Sequence, residues 1–168
     1  MSPLVYPTSP PPVILLAAAK PFAKEAVTAV SQACDELGFK LKQLQGYKST
    51  DELYAALPGC IGCIVRSDKV NTDFFDHASD LQVVVRAGAG YDNIDLNEAT
   101  KRGICVMNTP GQNAHAVAEL VFGLLLYHAR RRFSGSSGFE LKGRTIGLYG
   151  CGRIAVNVAE IARGFHMT

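Results

Sequence analysis

The feature of this sequence that most constrains its fold is the alternation of short apolar runs with helix-length amphipathic segments. Five runs of strand length can be read between Val13 and Asn108, and most of them are continuous in apolar residues. Continuous apolar strands are typical of parallel sheets that helices cover on both faces. Because β–α–β connections are right-handed, the pattern predicts an α/β fold with a flavodoxin-like, doubly wound parallel sheet.

The five runs predict both the strands and their connecting helices. FKLKQLQ alternates apolar and polar residues, as an edge strand does. The first helix is expected to stop at Gly38, and the second to be capped by Ser49 or Thr50. The predicted strands, in order, are VILLAAA, FKLKQLQ, CIGCIVRS, LQVVVRAG and ICVMN.

A second region follows this βα array. One long helix is predicted from Gln112 to Arg132, with Asn113 as its cap and three arginines at its negative end. A Ser/Gly connector, FSGSSGFELKG, then leads to a predicted strand, RTIGLY, and a further helix. We therefore expect an extended Pro-rich tail (1–12), a first domain (13–108), and an interdomain helix with the first βα unit of an incomplete second domain (109–168).

Composition excludes several classes of function. Apolar residues make up 48% of the chain, charged residues 19%, and the net charge is +2, which argues against a disordered chain or a polyanion-binding protein. The most apolar helix is short for a membrane span, and the leader carries no Lys or Arg, so a cytoplasmic location is expected. Five cysteines indicate reduced thiols. The C-x-x-C pair of Cys60 and Cys63 is interpreted as buried, and no metal site is predicted.

The stretch GCGRIA fits a dinucleotide-binding pattern, with Gly150, Gly152 and Ala155 at the small-residue positions. Gly150 allows a tight turn, Gly152 allows backbone to approach a pyrophosphate, and the following helix N-terminus supplies N–H donors. The alternative is a turn that is merely tight. The acidic residue that grips the ribose would fall about 20 residues further on, beyond Thr168, so the pattern predicts a dinucleotide and does not distinguish NAD from NADP.

A second small-residue loop lies in RAGAGYDNID. Arg86 ends a predicted strand, and Gly88, Ala89 and Gly90 follow it. Free N–H groups in such a loop, at the carboxyl end of a parallel strand, suit a carboxylate or a phosphate. The alternative is a βα turn in which Asp92 or Asp95 caps the next helix, and both can hold together.

Two longer stretches, VRAGAGYDNIDLNEATKRGICVMNTPGQNAHAVAEL and ELKGRTIGLYGCGRIAVNVA, resemble the D-2-hydroxyacid dehydrogenase family, and IVRSD fits as well. The resemblance runs from about Val13 to the last residue. It implies a flavodoxin-like substrate domain and a Rossmann cofactor domain. It also implies hydride transfer between a 2-hydroxyacid and NAD, here the oxidation of 3-phospho-D-glycerate in serine biosynthesis.

The same resemblance implies roles for individual positions. Substrate contacts are implied at Arg66, Arg86, Gly88 and Asn108, and at Arg130, which would reach a partner subunit's substrate. Cofactor contacts are implied at Ala89, Gly150, Gly152, Arg153, Ile154 and Ala155, although the family commonly has glycine where Ala155 stands. The arm before the cofactor strand, which takes part in dimer formation, is shorter here than in many members.

The family also uses a general acid/base His, a paired carboxylate and a substrate-clamping Arg, and these have no counterpart in the sequence. No obvious carboxylate partner is expected for any of the four histidines, so no catalytic residue is predicted among His77, His115, His128 and His166. We expect the chain to be the N-terminal part of an enzyme that forms a homo-oligomer. The alternatives are a naturally short, non-catalytic paralogue with a protein partner, and another D-2-hydroxyacid dehydrogenase.

Overall fold

The fold is that of a computed structural model, in which residues 10–168 are described. The first nine residues of the predicted tail lie outside the described residues. Two compact units divide the chain, the first ending at Thr109 and the second running from Pro110 to Thr168. Within residues 10–168, no helix has the length and apolar character needed to cross a membrane.

The first unit is a five-stranded sheet in which every pair of neighbouring strands is parallel. The strand order is β2-β1-β3-β4-β5, the flavodoxin-like order, so the predicted fold class is confirmed. As predicted, β2 lies at an edge. The elements are β1 (Val13–Ala18), α1 (Lys24–Leu37), β2 (Lys40–Gln45), α2 (Thr50–Ala56), β3 (Cys60–Val65), α3 (Thr72–Asp76), β4 (Val83–Arg86), α4 (Leu96–Lys101) and β5 (Cys105–Asn108).

One face of this sheet builds the larger core. Leu15, Cys63 and Val84 are neighbours across β1, β3 and β4, and all three are at most 1% exposed. Phe74 of α3 and Leu53 of α2 belong to the same buried cluster. On the other face, α1 packs beside a groove of about 290 Å³, whose lining includes Val30, Ile64 and Val85.

Side-chain caps fix where several of these helices begin. The Ser49 hydroxyl accepts from the Glu52 amide while the Glu52 carboxylate accepts from the Ser49 amide, so α2 starts with a full capping box. At the start of α4 the Asp95 carboxylate accepts from the Glu98 amide at 2.9 Å, a side-chain cap in one direction. The first helix ends at Gly38, which takes the left-handed conformation.

The second unit consists of α5 (Ala114–Ala129), α6 (Arg153–Gly164) and the chain around them. Phe122 of α5 stacks on Phe165 just after α6, with ring centroids 5.1 Å apart. Ala118, Val158 and Ala162 are buried in the same cluster. These contacts pack the two helices together around a small core.

The predicted bounds of the long helix are wrong at both ends, and it begins at Ala114 rather than Gln112. The helix ends at Ala129, not Arg132, because the Ala129 carbonyl accepts a hydrogen bond from the Phe139 amide at 3.0 Å. Arg131, Arg132 and Phe133 then form a single turn with positive φ, a left-handed conformation that side chains disfavour. Asn113 does occupy the N-cap position, but its side chain makes no capping hydrogen bond.

The predicted strand RTIGLY is also not formed. Residues 144–149 have an irregular backbone, although the Thr168 amide donates to the Arg144 carbonyl and the Ile146 amide donates to the Thr168 carbonyl. These two bonds have the pattern of a parallel pair, and they involve a single residue on one side. The Gly143 amide also donates to the His166 carbonyl at 2.9 Å, but these three bonds do not make the continuous ladder that a strand needs.

Candidate functional site

The carboxyl edge of the sheet holds four of the five substrate residues that the resemblance implies, all of them except Arg130. Arg86 is the last residue of β4, where it lies opposite Val65 of β3 and Asn108 of β5. Arg66 follows Val65 directly, so both arginines lie at neighbouring strand ends. The strand order reverses between β1 and β3, because β2 was added on one side of β1 and β3 on the other. Ligands of such sheets bind at that point, beyond the carboxyl ends of the strands.

Arg86 folds back over the loop that follows it. A Cβ at Gly88 would lie only 1.3 Å from Arg86 Nη1, so a side chain at this position would displace the guanidinium. Arg86 Nε is buried and has no hydrogen-bond partner. A buried donor without a partner costs roughly 1–3 kcal/mol, and an acceptor bound here would recover that cost.

The loop itself is tied to the end of the neighbouring strand. The Asn108 side-chain amide donates to the Ala89 carbonyl at 2.8 Å, and the Thr109 amide donates to the Gly88 carbonyl at 3.0 Å. Asn108 and Ala89 are both half-buried. The structure therefore brings together five of the implied residues, Arg66, Arg86, Gly88, Ala89 and Asn108, on one unit.

A buried carboxylate, which sequence reasoning did not single out, lies next to Arg66. Asp68 is 7% exposed, and its Oδ1 accepts from the Ala19 amide at 2.8 Å and from the Tyr47 hydroxyl at 2.5 Å. Its Oδ2 accepts from the Arg66 amide at 3.1 Å. Burial, followed by the hydrogen bond to Asp68, raises the pKa of Tyr47. The sequence signal for Asp68 was its position two residues after Arg66, the residue that follows β3. That position does not reveal that the Asp68 side chain is buried.

Arg66 presents its guanidinium at the surface. The residue is exposed, and its Nη1 lies 3.4 Å from the Pro21 carbonyl, a long contact. Its main chain is held, by contrast, through the bond to Asp68. Arg66 thus combines a fixed backbone with a side chain whose donors remain largely open to a ligand.

The dinucleotide pattern forms a turn and a helix start in the second unit. Gly150 has φ +97°, which only glycine adopts without strain, and Gly152 is the N-cap of α6. No side chain caps this 12-residue helix, so its first N–H groups are free to bind an anion. An open cleft of about 510 Å³ lies at this point, and its lining includes Gly111, Ala114 and Cys151.

The remaining implied cofactor residues surround the same turn. Arg153 donates from Nη1 to the Pro110 carbonyl at 2.8 Å, which holds its side chain along the cleft. Ile154 is 42% exposed and Ala155 is half-buried. Arg130, which the resemblance implies as a contact to a partner subunit's substrate, lies away from this turn. It is the C-cap of α5, and Ala114, which lines the cleft, lies at the other end of this helix, about 24 Å away at 1.5 Å per residue.

The expectation for the histidines is wrong at one position. His115 Nε2 lies 3.2 Å from Glu119 Oε1, one helical turn away on α5. Both side chains are more than 60% exposed, so the pair is a surface contact of low energy. His77 stacks on Tyr54, and His128 meets Phe139 edge to face.

The C-x-x-C pair is buried, as the sequence indicates. Cys60 and Cys63 are each 1% exposed within β3, and neither is in a disulfide. Burial raises the pKa of both thiols, which keeps them protonated and unreactive. Among residues 10–168, no group of three or more His, Cys, Asp or Glu side chains is arranged to hold a metal ion.

Comparison with known proteins identifies relatives across nearly the whole chain. Residues 14–165 match the family model described as D-isomer specific 2-hydroxyacid dehydrogenase, catalytic domain. D-3-phosphoglycerate dehydrogenase of Rattus norvegicus is 43% identical in an alignment of 133 positions, and the match covers 71% of this chain and 25% of that protein. Glyoxylate reductase of Thermococcus litoralis is 40% identical over 121 residues, covering 60% of this chain and 37% of that protein.

Solved structures give the same result. A 3-phosphoglycerate dehydrogenase of Entamoeba histolytica, with bound NAD+, is 38% identical and superposes with a TM-score of 0.89, covering 94% of this chain and 52% of that one. The TT0316 protein of Thermus thermophilus is 30% identical with a TM-score of 0.80, covering 92% of this chain and 54% of that one. The chain therefore spans about half the length of these structures and a quarter of the rat protein.

Proposed function

The chain belongs to the D-isomer-specific 2-hydroxyacid dehydrogenase family, and we propose that it forms the substrate-anion and cofactor-diphosphate sites of an NAD-dependent 3-phospho-D-glycerate dehydrogenase. The proposal makes the first unit the substrate-binding domain and the second the start of the cofactor domain. The general acid/base His, its carboxylate and the clamping Arg would then lie in the part of the relatives' length that this chain does not span.

The observation that carries the proposal is the buried, unpartnered Nε of Arg86 at the carboxyl edge of the sheet. A guanidinium with a free Nε and a free Nη offers two parallel donors, the geometry that carboxylate and phosphate oxygens accept. Arg66 supplies a second cation at the neighbouring strand end. Two arginines match a substrate with both a carboxylate and a phosphate better than one with a single anionic group.

The second unit supports the cofactor part of the proposal. A positive-φ glycine, an uncapped helix N-terminus and an open cleft fit a diphosphate. NAD, when bound, would accept the hydride from the hydroxyacid. The residues of this chain would hold its diphosphate through the first amides of α6 and through Arg153, whose guanidinium is already fastened to the Pro110 carbonyl.

The test is the affinity of the 168-residue chain for three ligands by isothermal titration calorimetry: 3-phospho-D-glycerate, D-glycerate and inorganic phosphate. We expect 3-phospho-D-glycerate to bind tightest, and Arg86→Met to weaken it by about tenfold or more, because hydrogen bonds to charged groups contribute about 1.5–3 kcal/mol. Arg102→Met is the matched control, since Arg102 forms surface ion pairs with Asp76 and Glu98. Equal affinity for D-glycerate would instead favour a dehydrogenase of unphosphorylated acids, such as the glyoxylate reductases.

A second candidate is a non-catalytic subunit that binds a protein partner. It is favoured by apolar side chains exposed in the second unit, where Leu120 and Leu124 of α5 are about 60% exposed and Tyr149 is fully exposed. Large exposed apolar patches commonly mark interaction surfaces. Under this reading the chain would bind neither 3-phospho-D-glycerate nor D-glycerate in the titrations. Under either reading we propose a reducing, cytoplasmic setting, since all five cysteines are free.

A further inference from the structure

The carboxyl edge of the sheet holds one buried charge that neither the family pattern nor the proposed site assigns. Asp68 is the one charged residue buried in the described part of the chain. No Lys, Arg or His forms an ion pair with its carboxylate there. Burying a carboxylate without a cation is costly, and here three hydrogen-bond donors compensate for it.

The three donors come from the ends of three neighbouring strands. Ala19 follows β1, Tyr47 follows β2 by two residues, and Arg66 follows β3. The Asp68 main chain adds a fourth connection, because the Asn93 side-chain amide donates to its carbonyl at 2.7 Å from the loop after β4. A single residue therefore fastens together the strand ends around the point where the strand order reverses.

From this arrangement we propose that Asp68 is a positioning residue for the anionic substrate: it holds the Arg66 main chain so that the Arg66 guanidinium is presented to the ligand before the ligand arrives. The inference rests on the proposed function, since it takes Arg66 to be a substrate contact. It deepens that function by naming a group that acts through Arg66 without touching the substrate. Preorganisation of this kind raises affinity because less side-chain and loop ordering remains to be done on binding.

The two carboxylate oxygens allow the role to be separated from general stability. Oδ1 accepts from the Ala19 amide and the Tyr47 hydroxyl, whereas Oδ2 accepts from the Arg66 amide. In Asp68→Asn the amide oxygen can keep the two Oδ1 bonds, and the new NH₂ then faces the Arg66 N–H, donor against donor. Tyr47→Phe is the matched control, since it removes one bond to Asp68 and leaves the Arg66 bond in place.

The experiment is a double-mutant cycle read by the affinity of the 168-residue chain for 3-phospho-D-glycerate. We expect Asp68→Asn to weaken binding by about tenfold in the wild-type background and to have no effect in an Arg66→Gln background, because coupled residues are non-additive. Tyr47→Phe should leave the affinity within about twofold while lowering the melting temperature, since a lost buried hydrogen bond costs stability.

Several outcomes would overturn the inference. An unchanged affinity in Asp68→Asn would do so, as would an equal loss in the Arg66→Gln background or a loss in Tyr47→Phe as large as that in Asp68→Asn. Wild-type chain that binds no 3-phospho-D-glycerate would remove the proposed function and this inference with it. Binding by the wild type with no coupling between Asp68 and Arg66 would remove the inference alone.

A second measurement needs no variant, so it tests positioning by Asp68 even if Asp68→Asn does not fold. Amide hydrogen exchange of the wild-type chain should show the Arg66 N–H protected without ligand, with little change when 3-phospho-D-glycerate is added. An Arg66 amide that exchanges freely and becomes protected only on binding would contradict positioning by Asp68.

Discussion

The two units of the chain differ in how completely each satisfies its own backbone and apolar side chains. The first has five paired strands and a buried cluster of seventeen residues. The second has a cluster of six buried residues, one parallel rung in place of a strand, and exposed apolar side chains such as Leu148 and Tyr149. The difference shows that an apolar run becomes a strand only where another strand lies beside it.

A core substitution should show the largest difference between the units. Phe74 is fully buried in the first unit, so Phe74→Ala should lower the free energy of unfolding by about 3–5 kcal/mol. Leu120→Ala, on the exposed face of α5, should change it by no more than about 0.5 kcal/mol. Urea denaturation followed by circular dichroism measures both, and similar losses for the two variants would break the comparison.

A substitution in the glycine turn of the second unit, at Gly150, should cause the next largest loss of stability. Gly150→Ala should cost about 1–2 kcal/mol, because an L-residue at φ +97° is strained even though space is free around it. Gly152 has φ −84° and open space, so Gly152→Ala should leave stability unchanged. Thermal unfolding separates the two variants. If Gly152→Ala proved the more destabilising, the assignment of the tight turn to Gly150 would be wrong.

Removing a helix cap in the first unit should lower the free energy of unfolding by less than Phe74→Ala or Gly150→Ala does. Ser49→Ala removes the capping box of α2 and should cost about 1 kcal/mol. Thr50→Ala is the control, since Thr50 is the first residue of the helix and not its cap. The sequence left Ser49 and Thr50 as alternative caps. If urea denaturation showed a larger loss of unfolding free energy for Thr50→Ala than for Ser49→Ala, Ser49 would not be the cap.

Gly88→Ala should have the smallest effect on stability and should still weaken the binding of 3-phospho-D-glycerate. In Gly88→Ala the added Cβ overlaps the end of the Arg86 side chain, which can move without disturbing the core. We expect 3-phospho-D-glycerate to bind about tenfold more weakly, equivalent to about 1.4 kcal/mol, with little change in melting temperature. At Gly90 a Cβ makes only ordinary contacts, so Gly90→Ala should bind normally. Equal affinity in the two variants would argue against Arg86 as the anion contact.

Local signals were enough to predict most of the first unit. Apolar runs placed all five strands, and the cap candidates narrowed two helix starts to pairs that include the observed caps Ser49 and Asp95, because these features depend on neighbours in sequence. The same reasoning failed for the end of α5, which depends on the Phe139 amide ten residues away, and for residues 144–149, which need a strand partner. In the site, strand-end arginines were visible, whereas the burial of Asp68 depends on Ala19 and Tyr47, brought near only by the fold.

The most direct test of the central claim is a crystal structure of this chain soaked with 3-phospho-D-glycerate and NAD+. We expect an anionic group of the acid within hydrogen-bond distance of Arg86 Nε and of the Arg66 guanidinium. We also expect the cofactor diphosphate at the first amides of α6, beside Gly152. An acid bound elsewhere with Arg86 Nε still unpartnered, or a diphosphate away from this helix start, would contradict it.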